Sequence, residues 1–230
     1  MGCEIFMPFP QKRYRSKKEF AYDTLRTAIL NNDLAPGDRL IIDEIAQEMG
    51  VSPIPVREAL RDLEADGFVT IQPYVGATVT RIHTNLLKEI FELLEALELI
   101  SGRAACSRLN PDDYTALETM LRDMDTLTDD PNTWSAKNTA FHEYICDRAE
   151  TPLVKDMMTH VLNHWERLRS TYLKDVFATR LKVSQPQHWQ MLDALRNCDN
   201  AALERVVREH NHAAMEVYAG QLKAKLGEDT

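Results

Sequence analysis

Residues 50–69 read GVSPIPVREALRDLEADGFV and carry the signals of one amphipathic helix. Ser52 followed by Pro53 is a common helix start, because serine can cap the free N–H groups of the first turn and proline fits its first position. Val56, Leu60 and Leu63 recur at helical spacing and fall on one face. Gly67 stands where a helix commonly ends. The stretch therefore predicts a short helix with one buried face.

The segments on either side of this helix predict a winged helix-turn-helix. Before it, residues 19–32 have an apolar face of helical spacing, and residues 41–49 predict a second short helix that Gly50 ends. Pro36-Gly37 predicts a turn between these two helices. After it, two β-prone runs at 68–71 and 77–80 predict a hairpin around Pro73–Gly76. Three helices, a short turn between the second and third, and a two-stranded wing make up that motif.

The remainder of the chain predicts helices and no strand. A joint is expected at His83–Asn85, with Asn85 as a cap, and helix starts are signalled at Asn110, Thr151, Ser184 and Asp199. The predicted helical segments are 86–108, 111–127, 134–149, 152–172, 185–197 and 200–223. Six amphipathic helices of this length can bury a core of their own. The fold class is therefore mostly α, an N-terminal winged helix-turn-helix followed by an all-α six-helix bundle.

Composition excludes several classes of protein. Eight glycines in 230 residues disfavour an all-β fold, and 44% hydrophobic with 27% charged residues excludes wholesale disorder. No apolar run is long enough for a membrane helix, and the N-terminus lacks the charge order of a signal peptide. Four dispersed cysteines suggest neither a disulfide framework nor a zinc ribbon, so a reducing cytoplasm is expected.

The net charge of −9 is unfavourable for nucleic-acid binding, apart from one basic segment. Lys12, Arg13, Arg15, Lys17 and Lys18 fall within seven residues near the N-terminus. A short basic arm over residues 1–17 could be an interaction tail or simply a solvated terminus, and charge alone leaves both open.

The N-terminal motifs closely resemble the signature of the GntR family of bacterial transcription factors, over roughly residues 18–82. They stand in this order: Leu34–Leu40, Glu44–Ala46, Gly50–Ser52, Pro55–Leu60 and Leu63–Val69. The resemblance implies binding to double-stranded DNA through the third helix and the wing. The residues expected at the DNA are Arg39, Ser52, Pro53, Arg57, Arg61 and Gly76. The alternative for Arg57 and Arg61 is surface pairing with nearby carboxylates.

Three positions depart from the family pattern and remove positive charge from the expected DNA surface. Pro53 follows Val-Ser where the family commonly has arginine, Asp43 replaces an arginine of some members, and Val75 precedes the wing glycine where arginine is usual. We therefore expect weaker phosphate anchoring and a shallower salt dependence of DNA binding.

Residues 83–225 resemble the FadR C-terminal (FCD) domain in its shorter, VanR-like branch. This resemblance implies an all-helical effector module in which Asn138, His142, His188 and His210 hold a divalent transition metal (Zn, Ni, Fe or Mn). Asn138 and His142 lie four residues apart and project from one helix face. His160 and His164 have the same spacing, so spacing alone does not choose between the two pairs.

One further departure concerns the effector. The family's first sensor helix usually carries an arginine for the ligand carboxylate, and the aligned residue here is Leu94. Either another cation takes its place or the effector is less acidic than a typical ligand of the family, and the sequence does not indicate which arginine would substitute.

Together these resemblances predict a homodimeric, cytoplasmic regulator, most often a repressor, on a pseudo-palindromic operator. A small-molecule effector bound at the metal would change DNA affinity. Two other hypotheses are a metal sensor, in which the ion is the signal, and a metal-dependent enzyme, which leaves the winged helix unexplained.

Overall fold

The computed structural model describes residues 16–82 and 85–226, and the chain divides into two compact units with a boundary between Thr80 and Arg81. Most of the predicted basic arm, together with His83 and Thr84 of the predicted joint, lies outside the described residues. Lys17 and Lys18 are described and begin the first helix.

Over residues 16–82 the first unit contains three helices and a three-stranded antiparallel sheet. Its elements are α1 (Lys17–Leu30), β1 (Arg39–Leu40), α2 (Ile42–Met49), α3 (Pro53–Ala65), β2 (Val69–Gln72) and β3 (Gly76–Val79). The strand order is β1-β3-β2, with Thr78 of β3 opposite both Arg39 and Thr70. The winged helix-turn-helix prediction is confirmed. The two-residue strand β1 was not predicted. It has no β-prone run of its own and is a strand only because it pairs with β3.

Two glycines shape the connections around α2 and α3. Gly50 ends α2 in the left-handed conformation (φ 64°), and its N–H donates to backbone carbonyls of that helix. Gly67 (φ 74°) follows the end of α3 in the same way. Ser52 has the extended backbone of an N-cap, but its side chain makes no capping hydrogen bond. The buried face of α3, including Val56, Leu60 and Leu63, forms the core of this unit as predicted.

The second unit is an all-helical domain over the described residues 85–226. Its helices are α4 (Asn85–Ala105), α5 (Pro111–Asp125), α6 (Pro131–Arg148), α7 (Pro152–Leu168), α8 (Lys174–Arg196) and α9 (Asn200–Leu226). A π-helical turn, Arg169–Leu173, connects α7 to α8. Asn110 and Asp113 form a capping box at the start of α5, and Asp199 accepts from the backbone of α9. The predicted six-helix domain is confirmed.

The predicted start of the fifth helix of this domain was wrong. Ser184 was expected to cap a helix beginning at 185, but α8 begins eleven residues earlier at Lys174 and runs through both Ser184 and Pro186. Proline removes one backbone donor without stopping the helix here, because α8 buries a long stripe of side chains. That stripe is Phe177, Leu181, Ser184, His188, Leu192 and Leu195. The helical spacing of these residues is visible in the sequence when a longer stretch is read, and it would have predicted the earlier start of α8.

Helices α4 and α9 approach closely at Gly102. A Cβ atom at this position would lie 2.8 Å from Cδ2 of Leu203, which is far shorter than an ordinary van der Waals contact. Any larger residue at this position would therefore require the buried Leu203 side chain to shift.

Candidate functional site

The exposed face of α3 carries the side chains expected at DNA. Ser52, Pro53, Arg57 and Arg61 are all exposed, and the last two lie one helical turn apart. Within the described part of the chain, neither guanidinium is in an ion pair. The helix thus presents two free cations beside its N-terminus, a surface that suits phosphate or base edges.

Two of the nearby carboxylates, Asp62 and Glu64, have other partners, which argues against surface pairing for these arginines. Asp62 pairs with Lys18 of α1 at 2.7 Å. Glu64 accepts a hydrogen bond from the backbone N–H of Ile71 in β2 at 2.8 Å. These acidic groups stabilise the packing of α3 and leave Arg57 and Arg61 available.

Arg39 brings a positive charge to the tip of the wing. Its Nη2 donates to the Val75 carbonyl at 2.9 Å, and a Cβ at Gly76 would lie 4.0 Å from two of its guanidinium nitrogens. The arginine that the family usually places at position 75 is thus partly replaced by one from β1. Gly76 itself has φ 105°, a conformation that favours glycine.

Two exposed apolar residues on this surface were missed by the sequence reasoning. Ile54, in the first turn of α3, is 69% exposed, and Tyr74 at the wing tip is fully exposed with φ 64°. An apolar side chain at the start of a recognition helix can contact thymine methyl groups. Asp43 on α2 is also exposed and keeps its negative charge at this unit's surface.

In the second unit, α6, α8 and α9 bring the four predicted metal ligands together around a small cavity. The ring centroids of His142 and His188 are 5.6 Å apart, and those of His188 and His210 are 4.9 Å apart. Asn138 and His142 line the cavity with His210. Its volume of about 40 Å³ exceeds what one water molecule needs.

In two of these histidines Nδ1 faces a side-chain oxygen, which leaves Nε2 as the ring nitrogen available to another ligand. Nδ1 of His142 lies 3.3 Å from Oε1 of Glu98 on α4, and Nδ1 of His210 lies 3.0 Å from Oε1 of Gln187. The Gln187 oxygen also accepts from Arg180, which can only donate, so it is the acceptor for His210 as well. His210 therefore carries its proton on Nδ1 and presents the lone pair of Nε2.

Burial keeps the three imidazoles neutral. It lowers the pKa of His142 to about 4 and that of His210 to about 3, with smaller contributions to His210 from His142 and Arg180. The pKa of His188 is lowered well below its usual value by burial, by both neighbouring imidazoles and by Arg180. Burial raises the pKa of Glu98 to about 8, against a hydrogen bond from Asn211. Neutral imidazole is the form that binds metals.

Three buried atoms of the predicted metal ligands lack any hydrogen-bond partner. They are Oδ1 of Asn138 and both ring nitrogens of His188, all buried. Buried polar atoms without partners are uncommon and costly in proteins, and a bound ion would satisfy the Asn138 oxygen and the one His188 nitrogen that carries a lone pair. The residues therefore fit a metal, although across 16–82 and 85–226 no three His, Cys, Asp or Glu side chains already converge tightly enough to hold one.

The competing histidines lie elsewhere on the surface. His160 is exposed and His164 is half-buried on α7, and neither lines the cavity. His212 is exposed and lies 3.8 Å from Glu95, on the opposite side of α9 from His210. The structure thus brings Asn138 and His142 together with His188 and His210, and leaves the other pair apart.

Glu98 and the aromatic wall of the cavity were not predicted. Glu98 is an interior acid on a helix where the sequence reasoning looked only for an arginine. Leu94, on that same helix, lines the cavity and leaves this wall without a cation. Part of the lining is aromatic, with Phe91 of α4, Trp165 and Tyr218 in mutual ring contact. In the described part of the chain, no helix is long and apolar enough to cross a bilayer.

Comparison with known proteins gives matches in both units. Residues 89–213 match the FCD domain, and residues 17–79 match the family described as bacterial regulatory proteins, gntR family. YdhC of Bacillus subtilis, an HTH-type transcriptional regulator, is 26% identical over 83% of this chain and 86% of its own. RspR of Escherichia coli, an HTH-type transcriptional repressor, is 25% identical over 82% and 83%. The solved structure of E. coli McbR/YncC shares the fold, with a TM-score of 0.74 at 22% identity over 91% of this chain and all of that one.

Proposed function

The chain belongs to the FCD-domain group of the GntR family of bacterial transcriptional regulators, which are not enzymes, and on that basis we propose a ligand-responsive repressor. It acts in the cytoplasm as a homodimer on a pseudo-palindromic operator. A small organic acid, bound beside a metal in the second unit, changes its affinity for DNA. The observation that carries the effector part is the set of unsatisfied buried atoms on Asn138 and His188.

The DNA-binding half of the proposal rests on α3 and the wing. Arg57 and Arg61 are exposed and unpaired within the described residues, and Arg39 adds a third guanidinium at Gly76. Recognition helices of this class read the major groove while the wing contacts the backbone. Repression, as opposed to activation, is supported by the similarity to RspR, which is named a repressor.

Exposed apolar residues on two adjacent helices support the homodimer. Leu93 and Ile100 lie seven residues apart on one face of α4 and are each about half exposed. Leu153 and Met157, four residues apart on α7, are exposed to a similar or greater degree. Helices α4 and α7 pack against each other, and apolar side chains on neighbouring helices are typical of an interface between subunits.

Asn138, His142, His188 and His210 would hold the metal through one amide oxygen and three neutral imidazoles. Gln187, hydrogen-bonded to His210, and Glu98, 3.3 Å from Nδ1 of His142, would orient the two rings, as neighbours of metal ligands commonly do. A divalent ion bound there supplies a Lewis acid to which a carboxylate oxygen can bind. The ligand set suits Zn, Ni, Fe or Mn.

A metal sensor is the second candidate, because the same unsatisfied atoms would serve it. The two functions differ in how firmly the ion is held. Metal that survives dialysis indicates a resident cofactor for an effector, whereas reversible micromolar binding that changes DNA affinity indicates that the ion is the signal.

The first experiment is selection of genomic fragments by the purified full-length protein, read by sequencing. We expect an inverted repeat whose half-sites lie one DNA turn apart, roughly 34 Å. The double variant R57A/R61A should lose enrichment, while R122A, an exposed arginine on α5, should keep it. No enrichment at low salt, with or without Zn²⁺ or Ni²⁺, would overturn the DNA-binding proposal.

A second experiment measures metal content after dialysis by mass spectrometry. We expect about one ion per chain in the wild type and in H160A, and much less in H142A. Equal metal content in H142A and the wild type would contradict the assignment of the ligands.

A further inference from the structure

Arg180 is a buried cation beside the candidate metal site. It lies on α8, is 4% exposed, and donates from Nη2 to Oε1 of Gln187 at 3.1 Å and to the His210 carbonyl at 3.3 Å. Its Nε and Nη1 atoms are buried without a hydrogen-bond partner. Most of its donor capacity is therefore unused.

No carboxylate neutralises this guanidinium among residues 16–82 and 85–226. Tyr218 does not compensate it either, because burial raises the pKa of its phenol and keeps that group protonated and neutral. Arg169, equally buried nearby, shows the usual arrangement, since its Nε donates to Glu166 at 2.9 Å and its Nη2 to Asn132. A buried charge without a partner is strongly unfavourable, so Arg180 needs an anion that the chain itself does not supply.

Arg180 lies next to residues that line the cavity. It lies between Phe177 and Ser184 on one face of α8, and both of those residues line the cavity. Gln187 connects it to the ring of His210 through a shared hydrogen-bonded oxygen. Leu94, on the opposite helix, offers no charge to an acidic ligand.

We propose that Arg180 anchors the carboxylate of the effector, taking over from α8 the role that Leu94 cannot perform on α4. Its Nε and Nη1 groups donate to oxygens of a small organic acid that reaches the cavity of about 40 Å³. This inference rests on the proposed function, because it deepens the assignment of the same cavity as the effector site.

The test measures binding of malonate, with malonamide as its neutral analogue, to the zinc-loaded full-length protein by calorimetry. We expect the wild type to bind malonate and not malonamide, and R180M to bind malonate at least about tenfold more weakly. R196M is the matched control, since Arg196 lies on the same helix and pairs with Glu118 at the surface. The double variant L94R/R180M should recover binding, because it returns a guanidinium to the opposite wall.

A melting curve without malonate separates a ligand anchor from a structural residue. Removing an uncompensated buried charge should leave the melting temperature of R180M equal to or above that of the wild type. A lower melting temperature, equal malonate affinity in R180M and the wild type, or no malonate binding by the wild type at millimolar concentration would each overturn the inference. The malonate assay contains no DNA, so its result does not depend on whether the operator selection succeeds.

Discussion

Replacing His188 with phenylalanine should stabilise the metal-free protein while abolishing its response to metal. His188 is fully buried, both of its ring nitrogens lack partners, and its ring lies 5.6 Å from those of Trp134 and Phe141. Each unsatisfied buried polar atom costs about 1–3 kcal/mol. The phenyl ring is larger than the imidazole, and the resulting crowding should destabilise the protein by about 1–3 kcal/mol.

The net expected gain in the free energy of unfolding is therefore roughly 1–3 kcal/mol, or about 2–4 °C in Tm for each kcal/mol. The assay is thermal unfolding of His188→Phe and wild-type protein, each with chelator and with excess Zn²⁺. Zinc should raise the Tm of the wild type and leave that of the variant unchanged.

His212→Phe provides the control, because it makes the same change at an exposed histidine on α9. It should alter neither the metal-free Tm nor the shift produced by zinc. If His188→Phe melts below the wild type in chelator, or keeps the full zinc shift, then His188 is a structural residue and the reasoning from its unsatisfied atoms fails.

Three further outcomes test other parts of the structure. Arg39→Ala should weaken operator binding and reduce the slope of log affinity against log salt by about 0.9 if it contacts one phosphate, as measured by fluorescence anisotropy; an unchanged slope would place Arg39 away from the DNA backbone. The double variant Leu93→Glu/Ile100→Glu should sediment as a monomer where the wild type is a dimer, and a variant that remains dimeric would assign the interface elsewhere. Gly102→Ala should lower the free energy of unfolding by about 1–3 kcal/mol through crowding, whereas Gly220→Ala, in open space on α9, should raise it by about 0.5–1 kcal/mol. Equal denaturation midpoints for these two variants would contradict the close packing at Gly102.

Local signals in the sequence were sufficient for most of the fold. For the helix over Pro53–Ala65, the residues that start it, its buried apolar face and the residues that end it all lie within one short stretch of sequence. Each of these signals depends only on residues close together in the chain. The start of α8 was mistaken because Ser184 and Pro186 are typical of a helix start, while the side chains that hold this helix in place come from distant helices. Tertiary packing overrides such local signals.

The candidate site was only partly predictable. The spacing of Asn138 and His142 is a local property of α6, and family resemblance supplied His188 and His210. Arg180 and Glu98 have no comparable pattern, because their significance comes from burial and from the groups that do or do not face them. Whether a charge is compensated depends on contacts between residues far apart in the chain.

The aromatic wall of the cavity also provides an optical reporter. Trp134 and Trp165 line the cavity, whereas the third tryptophan of the chain, Trp189, is only half-buried and donates to Asp125 outside it. Occupation of the cavity should therefore change the emission of two indoles and leave one as an internal reference. Because Trp134 lies beside His188, an open-shell ion such as Ni²⁺ should quench it strongly, while closed-shell Zn²⁺ should not. The unlabelled protein can thus report by fluorescence that its site is filled and which kind of ion fills it.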